Sequence, residues 1–410
     1  MAIVEDIVIA GAPQGGLKGI DIAGSGFAMV QRTENDQATL QMEFARSAPQ
    51  SITGDAATGD LFGYEVAASS IGQRNYVIIG SPGRSQAVGK EPENWGRALV
   101  YFEAADDSWN LEQDLSCENY ASLNPPVFGH AVAASGQSVA VGAPAFKATE
   151  SSELGAVGTY QLGSDGTWEE QWLPKPKSTD PKGTQRTDAL DFGFSVAIDE
   201  RFLIVGSPRD SLTHLRQGTV FVFERNDSEQ WQLRQQLADP KAAAGEQFGY
   251  RLALRDEWLL VTSYSTRIAE GETAPVGHVS VYQLSNDRGQ PWQFHQKLQA
   301  SPKELPGGLK LERYGYGIAV SANMLAISAP TTSQAGVNHH GIVFLYTLDQ
   351  ETGLWRPSTQ VLPSIGASRF GCAVEFGKDF LAVGSIFFTP GGAERSHRAG
   401  AVFCFDLKAL

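Results

Sequence analysis

A chain of 410 residues is long enough for two or three ordinary domains, or for one repeat array with a continuous core. Its 42% hydrophobic and 10% aromatic content excludes a disordered chain, and no apolar run approaches the roughly 18 to 20 residues of a membrane helix. With 32 basic against 46 acidic residues the formal charge is −14, a field that repels nucleic acid and anionic membranes.

The opening "MAIVEDIVIAG" has neither the basic n-region nor the cleavage site of a signal peptide. "MAIVEDIVIAGAP" aligns without a gap on the later "VAIDERFLIVGSP", with Met1 on Val196. "GFAMVQRT" and "ATLQMEF" follow as a third and fourth strand, with Ala38 where later copies carry Trp. From there an aromatic-glycine pair recurs at Phe62-Gly63, Phe128-Gly129, Phe192-Gly193, Phe248-Gly249, Tyr314-Gly315 and Phe370-Gly371, spaced by 56 to 66 residues. Each pair opens four apolar segments. A second ends in small residues ("VIIGSP", "VAVGAP", "LIVGSP", "LAISAP"), a third begins with Gly ("GRALVYFE", "GTVFVFER", "GIVFLYTL"), and a fourth begins with Trp ("WNLEQDL", "WQLRQQL", "WQFHQKL"). Segments of this length, rich in Val, Ile, Phe and Tyr and bounded by turn residues, predict strands. The joins "EAADDS", "LGSDGT" and "LSNDRGQ" predict tight hairpins between third and fourth strands. The last copy stops at "GAVFCFDLKAL" with no Trp strand.

Four-stranded antiparallel units repeated radially predict an all-β fold, a seven-bladed β-propeller whose first and last repeats are incomplete. The whole chain, 1–410, reads as a single propeller domain, with repeats at approximately 1–58, 59–124, 125–188, 189–244, 245–310, 311–366 and 367–410. The ring would close near the two termini.

FG-x-x-V-A, then G-A/S-P, then G-x-V-x-V-Y/F and a Trp strand resemble the FG-GAP repeat family, integrin α-subunit propellers included. The bacterial branch of that family, with a Trp strand after each repeat, is the more similar. The resemblance implies a propeller fold and leans towards an extracellular or cell-surface setting; for function it says little, because propellers serve as adhesins, lectins, scaffolds and enzymes alike. Integrin-type blades carry a calcium loop rich in Asp, and the corresponding joins here ("SSIGQRN", "SGQ", "DER", "RDE", "SAN", "FGKD") supply at most two carboxylates each. No integrin-like calcium site, and no other metal or cofactor, is therefore expected. The three cysteines, Cys117, Cys372 and Cys404, form neither a disulfide framework nor a zinc motif, read as small buried hydrophobes, and lean against secretion into an oxidising compartment.

Strand alternation sends the joins between second and third strands, and from the fourth strand to the next repeat, to one face. Those joins are long, and long loops on a rigid scaffold are where ligands bind. Their distinctive side chains, Trp95, His214, Tyr264, His339, His340, Arg395 and His397, are the candidate ligand-binding residues. Trp109, Trp168, Trp231, Trp292 and Trp355 share one repeat position and predict a common packing role. Three residues after each aromatic stand Glu65, Ala131, Ser195, Arg251, Gly317 and Ala373, of which Glu65, Ser195 and Arg251 are candidates to line the central channel. HExxH, GxSxG and phosphate-loop patterns are missing, so no catalytic residue is assigned and the chain is expected not to be an enzyme. The expected role is that of a monomeric noncatalytic propeller binding a protein or glycan through its long-loop face, without nucleic acid or membrane insertion. Two alternatives are an enzyme or lectin with a small-molecule pocket at the channel mouth, and a fragment of a larger multidomain protein.

Overall fold

A computed structural model describes residues 1–12, 27–32, 50–52, 61–83, 86–88, 91–93, 95–117, 119–120, 122, 126–147, 154–176, 191–239, 241–264, 277–287, 289–300, 313–332, 341–363, 367–388 and 399–410. Every regular element among them is a strand. The chain divides into two compact units, one of Met1–Arg32 and Pro49–Ala243, the other of Thr33–Ala48 and Ala244–Leu410.

The first unit holds four sheets. In chain order they are β1 (Ala2–Val4), β2 (Ile7–Ala12), β3 (Phe27–Arg32) and β4 (Gln50–Ile52), then β5 (Val66–Ile71) and β6 (Arg74–Ser81). A small two-stranded ladder, β7 (Gln86–Val88) with β8 (Glu91–Glu93), intervenes before β9 (Arg97–Glu103) and β10 (Trp109–Leu115) complete the second sheet. The third is β11 (Ala131–Ser135), β12 (Ser138–Ala143), β13 (Ala156–Leu162) and β14 (Trp168–Pro174). The fourth is β15 (Ser195–Ile198), β16 (Phe202–Ser207), β17 (Thr219–Arg225) and β18 (Trp231–Leu237). The second unit holds β19 (Phe248–Arg255), β20 (Trp258–Ser263), β21 (His278–Leu284) and β22 (Trp292–Leu298), then β23 (Ile318–Val320), β24 (Met324–Ala329), β25 (Ile342–Leu348) and β26 (Trp355–Val361). Its last sheet is β27 (Ala367–Phe376), β28 (Phe380–Phe388) and β29 (Ala399–Asp406). Neighbouring strands are antiparallel and, hairpin β7–β8 aside, adjacent in sequence order, as blades of a propeller require.

Six sheets are four-stranded, so the described residues hold six complete blades and not the expected seven. The seventh repeat supplies a three-stranded sheet. The first repeat departs from expectation in the other direction: lacking an aromatic-glycine pair, it still forms a full sheet. Ala2–Val4 turn directly onto Ile7–Ile9 through Glu5, whose φ is 51°, so a three-residue strand completes it.

Within each unit the first strands of successive sheets touch: β1 with β5, β5 with β11 and β11 with β15 in one, β19 with β23 and β23 with β27 in the other. The core lies between sheets. Strand alternation sends Val77 and Ile79 of β6 toward Ile7 and Ile9 of the first sheet, while Tyr76 and Ile78 face Val139 and Val141 of the third. Each sheet is therefore apolar on both faces, and the second strands read as continuous hydrophobic runs.

The aromatic-glycine pair sets the spacing of the sheets. Phe62, Phe128, Phe192, Phe248, Tyr314 and Phe370 are all fully buried. Phe192, Phe248, Tyr314 and Phe370 seat edge-on against aromatics of their own third strand, Phe192 on Phe221 at 5.2 Å and Phe370 on Phe403 at 5.5 Å. The glycine that follows has a positive φ in all six copies, between 83° and 90°. At Gly129 a Cβ would lie 2.1 Å from the Arg97 carbonyl oxygen, and a Cβ on Gly80, at the end of β6, would lie 2.2 Å from the Gly129 carbonyl oxygen. Two glycines thus face each other across the sheets, one from each half of the motif. Where Ser328 replaces the second glycine, its hydroxyl donates to the Gly371 carbonyl at 2.6 Å and accepts the Gly317 N–H at 2.9 Å.

The outer rim has its own repeated link. The Gln171 side chain accepts the Trp231 N–H at 3.0 Å and donates to the Trp231 carbonyl at 3.4 Å. Gln296 does the same to Trp355, at 2.9 Å and 3.0 Å. The Trp side chains fill the same junctions, with Trp231 under the Arg225 guanidinium at 4.5 Å and Trp355 edge-on to Trp258 at 5.2 Å. Fourth strands β10, β18, β22 and β26 each carry a register shift against their third strand, whereas β14 pairs regularly. Hairpins into the fourth strands are closed by Asx turns, with Asp106, Asp165 and Asp349 each accepting a backbone N–H two residues on.

Gly129→Ala is expected to remove about 3 kcal/mol or more of stability in urea unfolding, since it meets both a positive φ and backbone contact. Gly166→Ala, in a hairpin turn at φ 83° with nothing within 4 Å, is expected to cost only about 1 kcal/mol. Equal losses would show that spacing between sheets does not demand glycine. Gln296→Ala is expected to cost roughly 1–3 kcal/mol because two main-chain groups lose their partner.

Candidate functional site

Immediately after each aromatic-glycine pair stand Tyr64, His130, Phe194, Tyr250, Tyr316 and Cys372. The buried aromatic anchors the turn, the left-handed glycine redirects the chain, and the next side chain is delivered where first strands converge. Five of the six are aromatic rings.

In the first unit they form a chain of contacts. His130 lies 5.1 Å from Tyr64 and 4.7 Å from Phe194, centroid to centroid. Its Nδ1 lies 3.1 Å from the Phe194 carbonyl oxygen, which only accepts, so Nδ1 carries the proton. In the neutral ring Nε2 is then left to accept from the Tyr64 hydroxyl, 3.4 Å away. His130 is buried and Tyr64 is exposed, so the chain runs from the interior to solvent.

The second unit gathers three tyrosines. Tyr250 and Tyr264 stack at 4.4 Å with an interplanar angle of 19°. Tyr316 lies 6.5 Å from the first and 6.4 Å from the second. The Arg251 guanidinium stands 5.9 Å from the Tyr250 ring centre, and that of Arg313 stands 5.9 Å from Tyr264. All three rings are half-buried and Arg313 is exposed. A half-buried set of phenol rings with hydroxyls and guanidinium N–H groups offers flat apolar surface beside hydrogen-bond donors. That combination suits a ligand with apolar ring faces and a polar rim.

Two sequence candidates, Tyr264 and Arg251, meet in this cluster, though one comes from a long loop and the other from a first strand. Ser195 is buried in β15, and Glu65 is half-buried beside Tyr64 with its main-chain carbonyl accepting the Gly80 N–H at 2.9 Å. Trp95 is half-buried against the cluster between the second and third sheets, its carbonyl accepting the Phe128 N–H at 3.0 Å. His214 is exposed on a loop framed by Gln217, whose side-chain oxygen accepts the His214 and Thr213 N–H groups at 2.6 Å and 3.0 Å. His339, His340, Arg395 and His397 lie outside the described residues. Sequence reasoning passed over Tyr250, Tyr316, Tyr64, His130 and Phe194, although the repeated FGY, FGH, FGF and YGY were visible. It looked one residue further along each strand, where the run is mostly small.

The comparisons with known proteins bear on fold and family. The profile of the FG-GAP repeat family matches residues 188–223. No curated protein matches in sequence. Among solved structures, the periplasmic gluconolactonase of Pseudomonas aeruginosa is 12% identical, covers 96% of this chain and 95% of its own, and superposes with a TM-score of 0.51. A Lactobacillus plantarum protein from a structural genomics consortium is 9% identical, with 98% and 100% coverage and a TM-score of 0.52. At these identities the likeness is one of fold, an all-β propeller of four-stranded antiparallel blades. It corrects the expectation that the chain is not an enzyme, because a lactonase is built on the same fold. The physical reason is that a propeller can draw a site from separate repeats, each contributing one residue, so a search for local catalytic motifs does not test it. Among the described residues no helix is long and apolar enough to cross a membrane, every regular element being a strand.

Cys372 occupies the same repeat position as the rings, and burial pushes its thiol up to about 11, as it does that of Cys404. An unfolded thiol ionises near 8.5, so the unfolded chain loses its protons first and stability should fall as pH rises from about 8.5 toward 11. At pH 8 the folded chain is expected to resist iodoacetamide at both cysteines and to react fully in denaturant, which mass spectrometry of the alkylated peptides would show.

Proposed function

We propose that this protein, an FG-GAP repeat propeller, recognises a carbohydrate through the aromatic residues that follow its aromatic-glycine pairs. The observation that carries the reading is the cluster of Tyr250, Tyr264 and Tyr316 with Arg251 and Arg313. Sugar rings present C–H faces that lie on aromatic surfaces and hydroxyl rims that take hydrogen bonds from phenols and guanidinium groups. A protein ligand uses such rings too, but a half-buried set is the better match to a small ring. In this reading the three-stranded sheet is the seventh blade, and the long loop that carries Tyr264 adds to the binding surface beside Tyr250 and Tyr316. Carbohydrate of this kind belongs to cell surfaces and extracellular polymers, so the reading sets the chain outside the cytoplasm, and the periplasmic setting of the gluconolactonase supports it.

A glycan array with the purified protein, in buffer with and without EDTA, tests it. Saturable binding is expected, unchanged by chelator, and Tyr250→Ala and Tyr316→Ala are each expected to weaken it roughly tenfold, the scale of one aromatic contact. Leu233→Ala, an exposed residue of β18, should leave it unchanged. Binding that survives both tyrosine changes would overturn the reading. The same samples should be assayed for loss of a sugar lactone, and turnover abolished by Tyr250→Ala would make the site a catalytic one.

A further inference from the structure

The junction between the third and fourth sheets holds a buried ionic cluster. Lys175 directly follows β14, Asp191 directly precedes Phe192, and Asp210 lies between β16 and β17. The Lys175 ammonium donates to Asp191 Oδ2 at 2.7 Å and to Asp210 Oδ1 at 3.3 Å. The Ser207 hydroxyl donates to the other oxygen of Asp191. The Lys175 side chain is 4% exposed, that of Asp191 13% and that of Asp210 9%. Main-chain bonds fix all three: Lys175 N–H to Gly155, Asp191 N–H to Pro144 and Asp210 N–H to Ser207, at 3.1, 2.9 and 3.1 Å.

Two observations set this cluster apart from an ordinary ion pair. Asp210 Oδ2 is buried and has no hydrogen-bond partner, so a carboxylate oxygen beside the pair is left with unused accepting capacity. The fold does not need the charges either. At the preceding junction the positions equivalent to Lys175 and Asp191 are Cys117 and Val127, neither of which carries a charge. One ammonium and two carboxylates withdrawn from water are costly. Five of the residues that precede the aromatic, Leu61, Val127, Gln247, Arg313 and Arg369, have φ between 52° and 59°, and Asp191 departs from them.

We propose that Lys175 and Asp191 are joined by an intramolecular isopeptide bond, formed with Asp210 as the proton relay. Asp210 takes one proton from the ammonium and hands it to Oδ2 of Asp191, leaving a neutral amine beside a protonated acid. Nζ attacks Cγ, and the Ser207 hydroxyl holds Oδ1 as it becomes negative. Asp210 then takes the second proton from the nitrogen and delivers it to the Oδ2 hydroxyl, the Cγ–Oδ2 bond breaks, and water leaves an amide N–H and an ionised Asp210. One C–N bond forms, one C–O bond breaks, one water is released and no redox partner is consumed. Burial raises the Asp191 carboxyl above its ordinary range, which favours the protonated acid this step requires. The amide removes two of the three buried charges and leaves Asp210 a neutral N–H to accept. It would tie the end of one blade's outer strand to the start of the next blade's inner strand.

Intact-mass spectrometry of the purified full chain, under denaturing conditions, decides the matter. The expected mass is lower by one water than the sequence requires, and fragmentation should show a branched peptide joining Lys175 to Asp191. Lys175→Arg and Asp191→Ala should restore the full mass. Asp210→Asn should also give the full mass in a chain whose cooperative thermal unfolding shows that it folds. A wild-type chain at full mass that unfolds cooperatively would overturn the proposal, as would a water loss that persists in Lys175→Arg. Loss of water in folded Asp210→Asn would overturn the relay.

Discussion

The whole architecture depends on how closely two backbones approach where one sheet meets the next. Gly80 and Gly129 set that distance, because their missing Cβ atoms let a carbonyl sit where a side chain would otherwise stand. The buried aromatic beside each such glycine then fills the wedge that opens outward from the contact. Apolar second strands are sandwiched on both sides, so no sheet is stable alone and each repeat borrows half of its core from its neighbour. The Ser328 variant shows that the demand is for small size and not for glycine as such, provided the hydroxyl finds partners in the next sheet.

The same turn explains why the aromatic clusters form. A glycine in the left-handed region, pinned between backbones, leaves no freedom in the direction of the residue after it. Repetition therefore delivers Tyr64, His130 and Phe194, or Tyr250 and Tyr316, to equivalent places without any of them being required for the wedge. Positions that the scaffold dictates in space but leaves open in chemistry are where binding chemistry can change without loss of fold. The Lys175, Asp191 and Asp210 cluster follows the same logic at the outer end of a junction, where the equivalent Cys117 and Val127 carry no charge.

Strands, their order and their hairpins were legible because each physical requirement left a mark at a fixed offset: aromatic-glycine for the wedge, small residues for the facing strand, Trp for the rim, Asp or Asn for the turn. Gln171 and Gln296 were not, since β22 carries a bulge that β14 lacks, which moves Gln296 one place further from its Trp than Gln171 is and breaks the apparent register. The first sheet was misjudged for a related reason. Its aromatic is missing, so it read as incomplete, yet Ala2–Val4 pair with Ile7–Ile9 and complete the sheet with a short first strand. The site was half legible. Tyr264 and Arg251 were chosen for separate reasons, and nothing in the linear order links a loop tyrosine to a first-strand arginine. The charged cluster was illegible because its members are separated by 16 and 19 positions and none belongs to a motif.

The register shifts in β10, β18, β22 and β26 have a consequence for the growth of such chains. Duplicating a four-stranded unit duplicates an outer edge, and every new edge is a row of main-chain donors and acceptors open to a foreign strand. A bulge twists that row out of alignment, so the exposed Leu233 and Phe294 sit on edges that make poor templates for pairing. Where a repeat carries its own bulge, copying that repeat copies the safeguard with it, so the array can lengthen there without adding edges that invite pairing.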